Sequence, residues 1–144
     1  MQSVTVSVDI AAPIWEVWNV AADLAGHVRW MADVESIEFG SEAGQGAGTE
    51  MRVATRVGPF RTVDVMTVTH WEPPRRISVL HQGFFTGLGE FDISAIGGAT
   101  RFTWTEEIEF PWRAGGPIAA IVARPVLTWI WRRNLQRLKA LLEA

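Results

Sequence analysis

The sequence lacks residues and motifs on which whole classes of function depend. It contains no cysteine, which excludes disulfide bridges and thiolate chemistry. Its three histidines, His27, His70 and His81, lie far apart and do not have the spacing of a metal motif, so we expect no metal and no other cofactor. Neither a glycine-rich nucleotide motif nor the GxSxG motif of serine hydrolases occurs. Common routes to redox, nucleotide and serine-nucleophile chemistry are therefore disfavoured.

The sequence also has no large excess of positive or negative charge and no long apolar run. The net charge of −3 at pH 7 provides no basic surface for nucleic acid. One basic group is interpreted as a solvated helix face that suits the negative end of the helix dipole: Arg132, Arg133, Arg137 and Lys139. No apolar run approaches the roughly 20 residues of a membrane span, and residues 1–10 do not resemble a signal peptide. We therefore predict no membrane span and a cytoplasmic location.

Large apolar rings are abundant. The 144 residues are 48% hydrophobic, and no repeat, linker or low-complexity tract divides them, so we predict one domain over residues 1–144. Eight tryptophans and seven phenylalanines occur without any tyrosine. Such rings fill cores and also line sites for flat apolar ligands.

The spacing of apolar residues predicts an α+β architecture. Ser3–Asp9 alternates as a half-buried strand, Pro13 begins a short helix, and Asp23 caps a second short helix that ends near Trp30. Six further strands with short turns follow: Glu35–Ser41, Thr49–Val57, Phe60–Trp71, Arg75–Gln82, Phe84–Ala95 and Thr100–Phe110. Because no helical crossovers separate them, they should form an antiparallel meander.

The end of the chain predicts one long helix, from Pro117 to about Glu143, with a kink at Pro125. Its second half has a single apolar stripe that includes Trp131 and Leu138. Residues 118–131 are apolar on nearly all sides, so we expect this segment to be buried on more than one face.

Several segments resemble the START-like superfamily, and in particular its polyketide cyclase/dehydrase and lipid-transport branch. The matching segments are Ile10–Trp18, Asp23 with Trp30, Glu72–Ile77, Gly97–Arg101 and Asn134–Leu142. The resemblance implies a helix-grip fold, in which a curved seven-stranded antiparallel sheet surrounds the C-terminal helix and two short helices follow the first strand. It also implies a cavity for a small hydrophobic molecule, with Trp30 and Met31 near its entrance. It does not fix the chemistry.

Strand alternation places one carboxylate inside this cavity. Phe102, Trp104, Glu106, Ile108 and Phe110 share the inward face of the last strand. A charge on this apolar face would be costly without a partner, so Glu106 is a candidate acid, base or ligand-binding group. Alternatively, it pairs with an arginine, for which Arg124 and Arg132 are candidates, or it meets water at the cavity mouth.

His81 is the candidate partner of Glu106 in proton transfer. It shares a face with Ile77 and Val79, and an inward orientation would bring it to Glu106. Alternatively, His81 only ends its strand. Gly87 and Gly89 share the inward face of the next strand, where they mark either a bend or space kept open.

The inward face of strand Phe60–Trp71 cannot be chosen from its pattern, because both faces carry apolar residues. For the remaining walls, we predict these ligand-binding residues: Trp30, Met51, Val53, Thr55, Phe91, Phe102, Trp104, Ile121, Pro125 and Thr128.

Three functions fit this sequence. The first is a carrier or sensor that binds a polyketide-, quinone- or lipid-like molecule in the cavity. The second is a polyketide cyclase/dehydratase with Glu106 and a histidine as acid and base. The third is an interaction protein that docks a partner, or a second copy in a homodimer, through residues 118–131. A distance of about 3.2 Å or less between Glu106 and a histidine would favour the enzyme.

Overall fold

The structure, a computed structural model, describes residues 2–40, 45–84 and 86–144. Ser41, Gly44 and Phe85, which belong to a predicted strand end, a predicted loop and a predicted strand, lie outside these ranges. The strands are β1 (Gln2–Ile10), β2 (Val34–Phe39), β3 (Glu50–Val57), β4 (Phe60–Glu72), β5 (Arg76–Gly83), β6 (Thr86–Ile96) and β7 (Ala99–Glu109). The helices are α1 (Ile14–Ala22) and α2 (Gly116–Glu143), with short 3₁₀ turns at Ala25–Arg29 and Trp112–Ala114.

All seven strands form one antiparallel sheet in the order β1-β7-β6-β5-β4-β3-β2. Strands that follow each other along the chain from β2 to β7 are neighbours, and β1 then pairs with β7. The sheet curves around α2, which packs mainly against β1. The predicted α+β helix-grip fold is confirmed, except that the second short helix is a 3₁₀ turn.

The alternation of β1 decides which of its sides faces the core. Val4, Val6, Val8 and Ile10 are buried, while the residues between them are exposed. On the outer side, Asp9 forms an ion pair with Arg101 of β7 at 2.9 Å. A strand with one dry face needs this strict period of two.

The turn after α1 begins as its sequence predicts. The Asp23 carboxylate accepts a hydrogen bond from the backbone N–H of Gly26 at 3.2 Å, which satisfies one of the free donors at the start of the 3₁₀ turn. Behind it, the Thr100 hydroxyl donates to the Ala12 carbonyl oxygen at 2.7 Å, and Thr100 is fully buried. This second bond ties the segment before α1 to the sheet.

A bulge explains why the faces of β4 could not be separated by pattern. The register of β4 against β5 shifts between Val68 and His70. Before the shift, Asp64 and Val68 point inward; after it, His70 is exposed and Trp71 packs on Trp18 with ring centroids 5.3 Å apart. After a bulge, the residues that point inward change from even to odd positions or the reverse. Apolar residues therefore occur at both even and odd positions of β4.

Helix α2 continues through Pro125 without a break. In its second half, Trp131, Leu135 and Leu138 are buried as predicted. In its first half, the expectation of burial on more than one face is wrong, since Ile118 is 73% and Val122 69% exposed. The sheet covers only one side of this segment, and no other described element covers the outer side. None of the described helices is long and apolar enough to cross a membrane.

Candidate functional site

The concave face of the sheet and the first half of α2 enclose a cavity of about 800 Å³. Its walls are mostly apolar and come from β2 to β7, from α2 and from the segment around the 3₁₀ turn after α1. The exposed side chains of Phe60, Phe84, Val122 and Val126 also border it, so the mouth lies between two hairpin ends and α2. A cavity of this volume is within the usual range for small-molecule sites.

Aromatic rings close the inner end of the cavity. Trp104 of β7 stacks on Trp131 of α2 with centroids 5.1 Å apart, and Phe91 packs edge-on against Trp104 at 5.5 Å. Behind them, Trp30 and Phe102 are completely buried. This end is a rigid, flat-walled surface.

His81 of β5 and Glu106 of β7 meet inside the cavity. His81 Nε2 lies 2.7 Å from Glu106 Oε2, and the two side chains are only 11% and 9% exposed. Both residues line the cavity. The parity predicted for both strands is confirmed, and the distance lies within the limit set for a proton-transfer pair.

Glycine on the intervening strand makes this contact possible. β6 runs between β5 and β7, and Gly89 pairs with Glu106 in the sheet register. A Cβ atom at Gly89 would lie 2.7 Å from Glu106 Oε1 and 2.9 Å from His81 Nε2. Of the two reasons predicted for an inward glycine here, the structure therefore supports open space, and the two side chains reach across it.

The carboxylate of Glu106 is fully engaged. Its Oε1 accepts a hydrogen bond from Trp104 Nε1 at 2.9 Å, while Oε2 faces His81. The predicted arginine partners are wrong: Arg124 donates to the Ser3 carbonyl oxygen at 3.1 Å, and Arg132 is exposed. Both arginines lie away from the cavity wall of α2, which carries only apolar residues.

Electrostatics favour the charged form of His81. Burial opposes the charge of His81, but the contact with Glu106, aided by Asp64, outweighs this effect and raises the pKa of His81 above its ordinary value. The contact therefore favours an imidazolium at His81, with a transferable proton next to the cavity.

Besides Glu106, four carboxyl groups line the cavity, those of Asp33, Asp64, Glu90 and Glu107, and sequence reasoning missed all four as site residues. Asp64 is 2% exposed and lies on the inward side of β4. Asp33 precedes β2, and burial raises the pKa of its carboxyl group. Asn134 Nδ2 donates to Asp33 Oδ1 at 2.8 Å, and its Oδ1 accepts the Ala32 N–H at 3.0 Å. Asp64 shares one face of its strand with Met66 and Val68, and this spacing could have identified it as an inward residue. Nothing in the sequence indicates that Asn134 reaches Asp33.

His27 also borders the cavity but differs from His81 in its charge. Burial lowers the pKa of His27 to about 4, although its ring nitrogen Nε2 lies 2.7 Å from the Ala21 carbonyl oxygen. With Nε2 protonated, the neutral ring donates this hydrogen bond and packs against Trp30 and Phe91. His27 is therefore an uncharged part of the wall at neutral pH.

The predicted ligand-binding residues divide into three groups. Met51, Val53, Thr55, Phe91 and Trp104 line the cavity. Trp30 and Phe102 lie behind the wall in the core. Ile121, Pro125 and Thr128 do not line it: the first two are exposed, and the Thr128 hydroxyl donates to the Arg124 carbonyl oxygen. A role in ligand binding stays a prediction for the first group.

The helix wall was assigned to the wrong side of α2. The residues that line the cavity from α2 are Ala119, Val122, Ala123, Val126, Leu127 and Trp131. Because the segment is apolar all round, no polar face fixes its rotation in the sequence, and only packing against the sheet decides it.

Comparison with known proteins shows the family of this chain. The family model described as polyketide cyclase / dehydrase and lipid transport matches residues 1–143. No curated protein gives a significant match. A crystal structure of a Thermus thermophilus protein is similar, with a TM-score of 0.82 and 22% identity over 96% of this chain and 95% of that one.

Two other similar structures have descriptive names. One is the Zhui aromatase/cyclase of a Streptomyces species, with a TM-score of 0.77 and 21% identity over 99% of this chain and 93% of that one. The other is a START superfamily protein of Mycobacterium smegmatis, with a TM-score of 0.78 and 16% identity over 98% and 97%. At these identities the similar structures establish the fold alone. Because the family model matches nearly the whole chain, this chain belongs to the polyketide cyclase / dehydrase and lipid transport family.

Proposed function

We propose that this protein binds a small, largely hydrophobic molecule with carbonyl groups and that His81, supported by Glu106, transfers protons on it. The reaction would be the cyclisation and dehydration of a poly-carbonyl chain. The observation that supports this most strongly is the contact of 2.7 Å between these two residues, on the wall of a mostly apolar cavity. An aromatase/cyclase is among the proteins with the same fold.

The pair can donate and recover the protons that the reaction needs. In ring closure, the His81 imidazolium gives its proton to the carbonyl oxygen under attack, and the neutral imidazole takes a proton from the attacking carbon. In dehydration, the imidazolium protonates the departing hydroxyl, and the imidazole recovers a proton from the neighbouring carbon. Each step leaves the pair with one proton, and the Glu106 carboxylate stabilises the imidazolium.

The cavity contributes the geometry. A flexible poly-carbonyl chain can close rings of several sizes. Cavity walls that hold it in one folded conformation allow only one of its carbons to approach one carbonyl group, so a single ring forms. The stacked Trp104 and Trp131 provide a flat surface at the inner end, next to the Glu106 carboxylate. A planar aromatic product would fit such a surface.

Charge selects among hydrophobic ligands. Five carboxyl groups line the cavity, from Asp33, Asp64, Glu90, Glu106 and Glu107, against two basic side chains, those of Arg61 and His81. A fatty-acid carboxylate would meet like charge there, whereas a quinone or polyketide presents neutral carbonyl oxygens that accept hydrogen bonds. We therefore expect neutral carbonyl ligands in preference to fatty acids.

A carrier or sensor is the second candidate. It is favoured by the bonding of Glu106, since both its oxygens already have partners within the protein. Two side chains that already contact each other can orient a ligand by dipole and shape without any turnover. The two candidates share the cavity and differ only in whether the bound molecule changes.

Native mass spectrometry of protein purified from its own host, followed by the identification of any bound molecule, tests the shared part. A panel of quinones, aromatic polyketides and fatty acids then gives the order of thermal stabilisation. Glu106→Gln and His81→Asn separate the candidates: in a cyclase, both still bind a poly-carbonyl substrate, but neither releases water from it. If no molecule co-purifies and no panel member raises the melting temperature, the ligand-binding proposal fails.

A further inference from the structure

The outer side of α2 carries an unusual exposed apolar surface. We define the mouth face as Ile118, Ile121, Val122, Val126 and Trp129, together with Phe60 and Trp112. The five helix residues are between 51% and 73% exposed, Phe60 is 74% and Trp112 is 84% exposed. Isolated exposed apolar residues are ordinary, but five on one side of a helix are not, and Val122, Val126 and Phe60 also border the cavity mouth. Such a set marks an interaction surface.

From the start of α2 to Leu142, the charged residues of the helix all have one sign. From Phe110 to Leu142 the chain contains no acidic residue and six basic ones: Arg113, Arg124, Arg132, Arg133, Arg137 and Lys139. Apart from Glu143, every acidic residue of the chain precedes this segment. Five of these six basic residues lie on α2, in a chain whose net charge is −3.

The apolar and basic parts follow each other along the same side of the helix. Arg132 and Arg133 lie one turn after Trp129, and the Arg133 guanidinium is 4.8 Å from the Trp129 ring centroid. Aliphatic and Trp side chains followed by arginines form the pattern of a surface that inserts into the boundary between acyl chains and headgroups.

From this arrangement we infer that the mouth face docks onto an anionic lipid surface, with Arg132 and Arg133 at the lipid phosphates. The apolar side chains would enter the acyl boundary, and the basic residues would gain from the negative surface potential. The inference rests on the proposed function in one respect, because the cavity mouth would then give a hydrophobic ligand a route to the bilayer that avoids water.

Two other occupants fit less well. A second copy paired through the same face would bring together two surfaces of the same positive charge, since a two-fold interface uses the same patch of both copies. A protein partner needs hydrogen-bonding groups for register, and the hydroxyl at the border of the face, that of Thr128, is already bonded to the Arg124 carbonyl oxygen.

The test is sedimentation of the ligand-free, full-length protein with vesicles. Vesicles of phosphatidylcholine with phosphatidylglycerol are compared with vesicles of phosphatidylcholine alone. We expect binding only to the anionic vesicles, weakened by salt. The absence of ligand keeps this result independent of the proposed function, which is tested by ligand binding and water loss.

Three variants make the prediction specific. Ile118→Glu with Trp129→Glu should lower the vesicle association constant at least tenfold, and Arg132→Gln with Arg133→Gln about 30-fold. Trp15→Glu is the matched control, because Trp15 is 55% exposed on α1 and borders neither the cavity nor α2; it should bind as the wild type does. Circular dichroism checks that all variants are folded.

Three results would overturn the inference: no binding to anionic vesicles, equal binding to both vesicle types, or the same loss in Trp15→Glu. Analytical ultracentrifugation provides the remaining check. If the wild type is a dimer that Ile118→Glu with Trp129→Glu converts to a monomer, the mouth face is an interface between copies and not a lipid contact.

Discussion

At the scale of single residues, a missing side chain at Gly89 decides whether His81 and Glu106 can meet. Two inward side chains on strands that are not neighbours are normally separated by the side chain between them. The absence of a Cβ atom on β6 removes this barrier, and the ion pair occupies the space. The site therefore depends on three strands at once.

Gly89→Ala should separate the pair. The new methyl group would lie less than 3 Å from both partners, so we expect a loss of about 1–3 kcal/mol in the free energy of unfolding. The pKa of His81, raised by Glu106, should fall towards its ordinary value. Denaturant unfolding and an NMR titration of His81 measure these effects.

Gly98→Ala is the control for this variant, since a Cβ atom there would meet nothing within 4 Å. It should leave the His81 titration unchanged. If His81 titrates in Gly89→Ala as it does in the wild type, the proposed reason for this glycine is wrong.

His27 should make the protein sensitive to acid. Its pKa is lowered to about 4 in the folded protein, from 6.5, so the unfolded chain binds the proton first. Stability is then full above pH 6.5 and falls as the pH decreases towards 4, by about 3 kcal/mol in total from this residue. Unfolding free energies across this range measure it.

His27→Phe should flatten that pH dependence, whatever its effect on stability at pH 7. His70→Phe, at an exposed position, should retain the wild-type slope. A His27→Phe protein whose stability falls as steeply as that of the wild type would show that other groups cause the acid sensitivity.

At the scale of elements, the buried amide of Asn134 joins α2 to the segment before β2. Its two hydrogen bonds hold the Ala32 N–H and the Asp33 carboxyl group, and the side chain is completely buried. Asn134→Ala leaves these groups without their partner, so we expect a loss of about 2–4 kcal/mol. Gln136→Ala, an exposed change on the same helix, should cost less than about 0.5 kcal/mol.

Thermal or denaturant unfolding of the two variants checks this prediction. Because alanine favours helix more than asparagine or glutamine, propensity alone would stabilise both variants. Equal stability of Asn134→Ala and Gln136→Ala would therefore mean that the contact between α2 and Asp33 contributes nothing.

The elements also show where sequence reasoning succeeds. β7 and β5 follow a period of two without a bulge, so the inward positions of Glu106 and His81 could be predicted from alternation. Glycine predicts the turn at Gly97-Gly98, and Pro117 predicts the start of α2. Strong local patterns thus predicted the fold and both members of the pair.

Where local patterns were weak, tertiary contacts decided the outcome. The bulge of β4 and the rotation of α2 follow from packing that no single segment encodes, and so Asp64 was ambiguous and Ile121 was misplaced. The contact of Asn134 with Asp33 joins residues 101 positions apart. Side-chain pairs at such separations cannot be deduced from periodicity.

At the scale of the whole molecule, the cavity is a volume that the fold leaves open. A native core is packed to nearly the density of an organic crystal, so a space of about 800 Å³ costs stability unless a ligand fills it. A bound ligand would stabilise the protein by about 2.7 kcal/mol at a hundredfold excess over its dissociation constant. Filling the cavity with a side chain should therefore keep the fold and remove binding.

Ala123→Trp makes this test, because Ala123 lies on the cavity wall of α2 and its neighbours there are apolar. We expect an unchanged or higher melting temperature without ligand and at least a tenfold weaker affinity for any quinone or polyketide that stabilises the wild type. Ala140→Trp, at an exposed position of the same helix, should bind like the wild type. Calorimetric titration and thermal unfolding give both quantities. Wild-type affinity in Ala123→Trp would place the ligand elsewhere, since an indole and a ligand cannot share the same space.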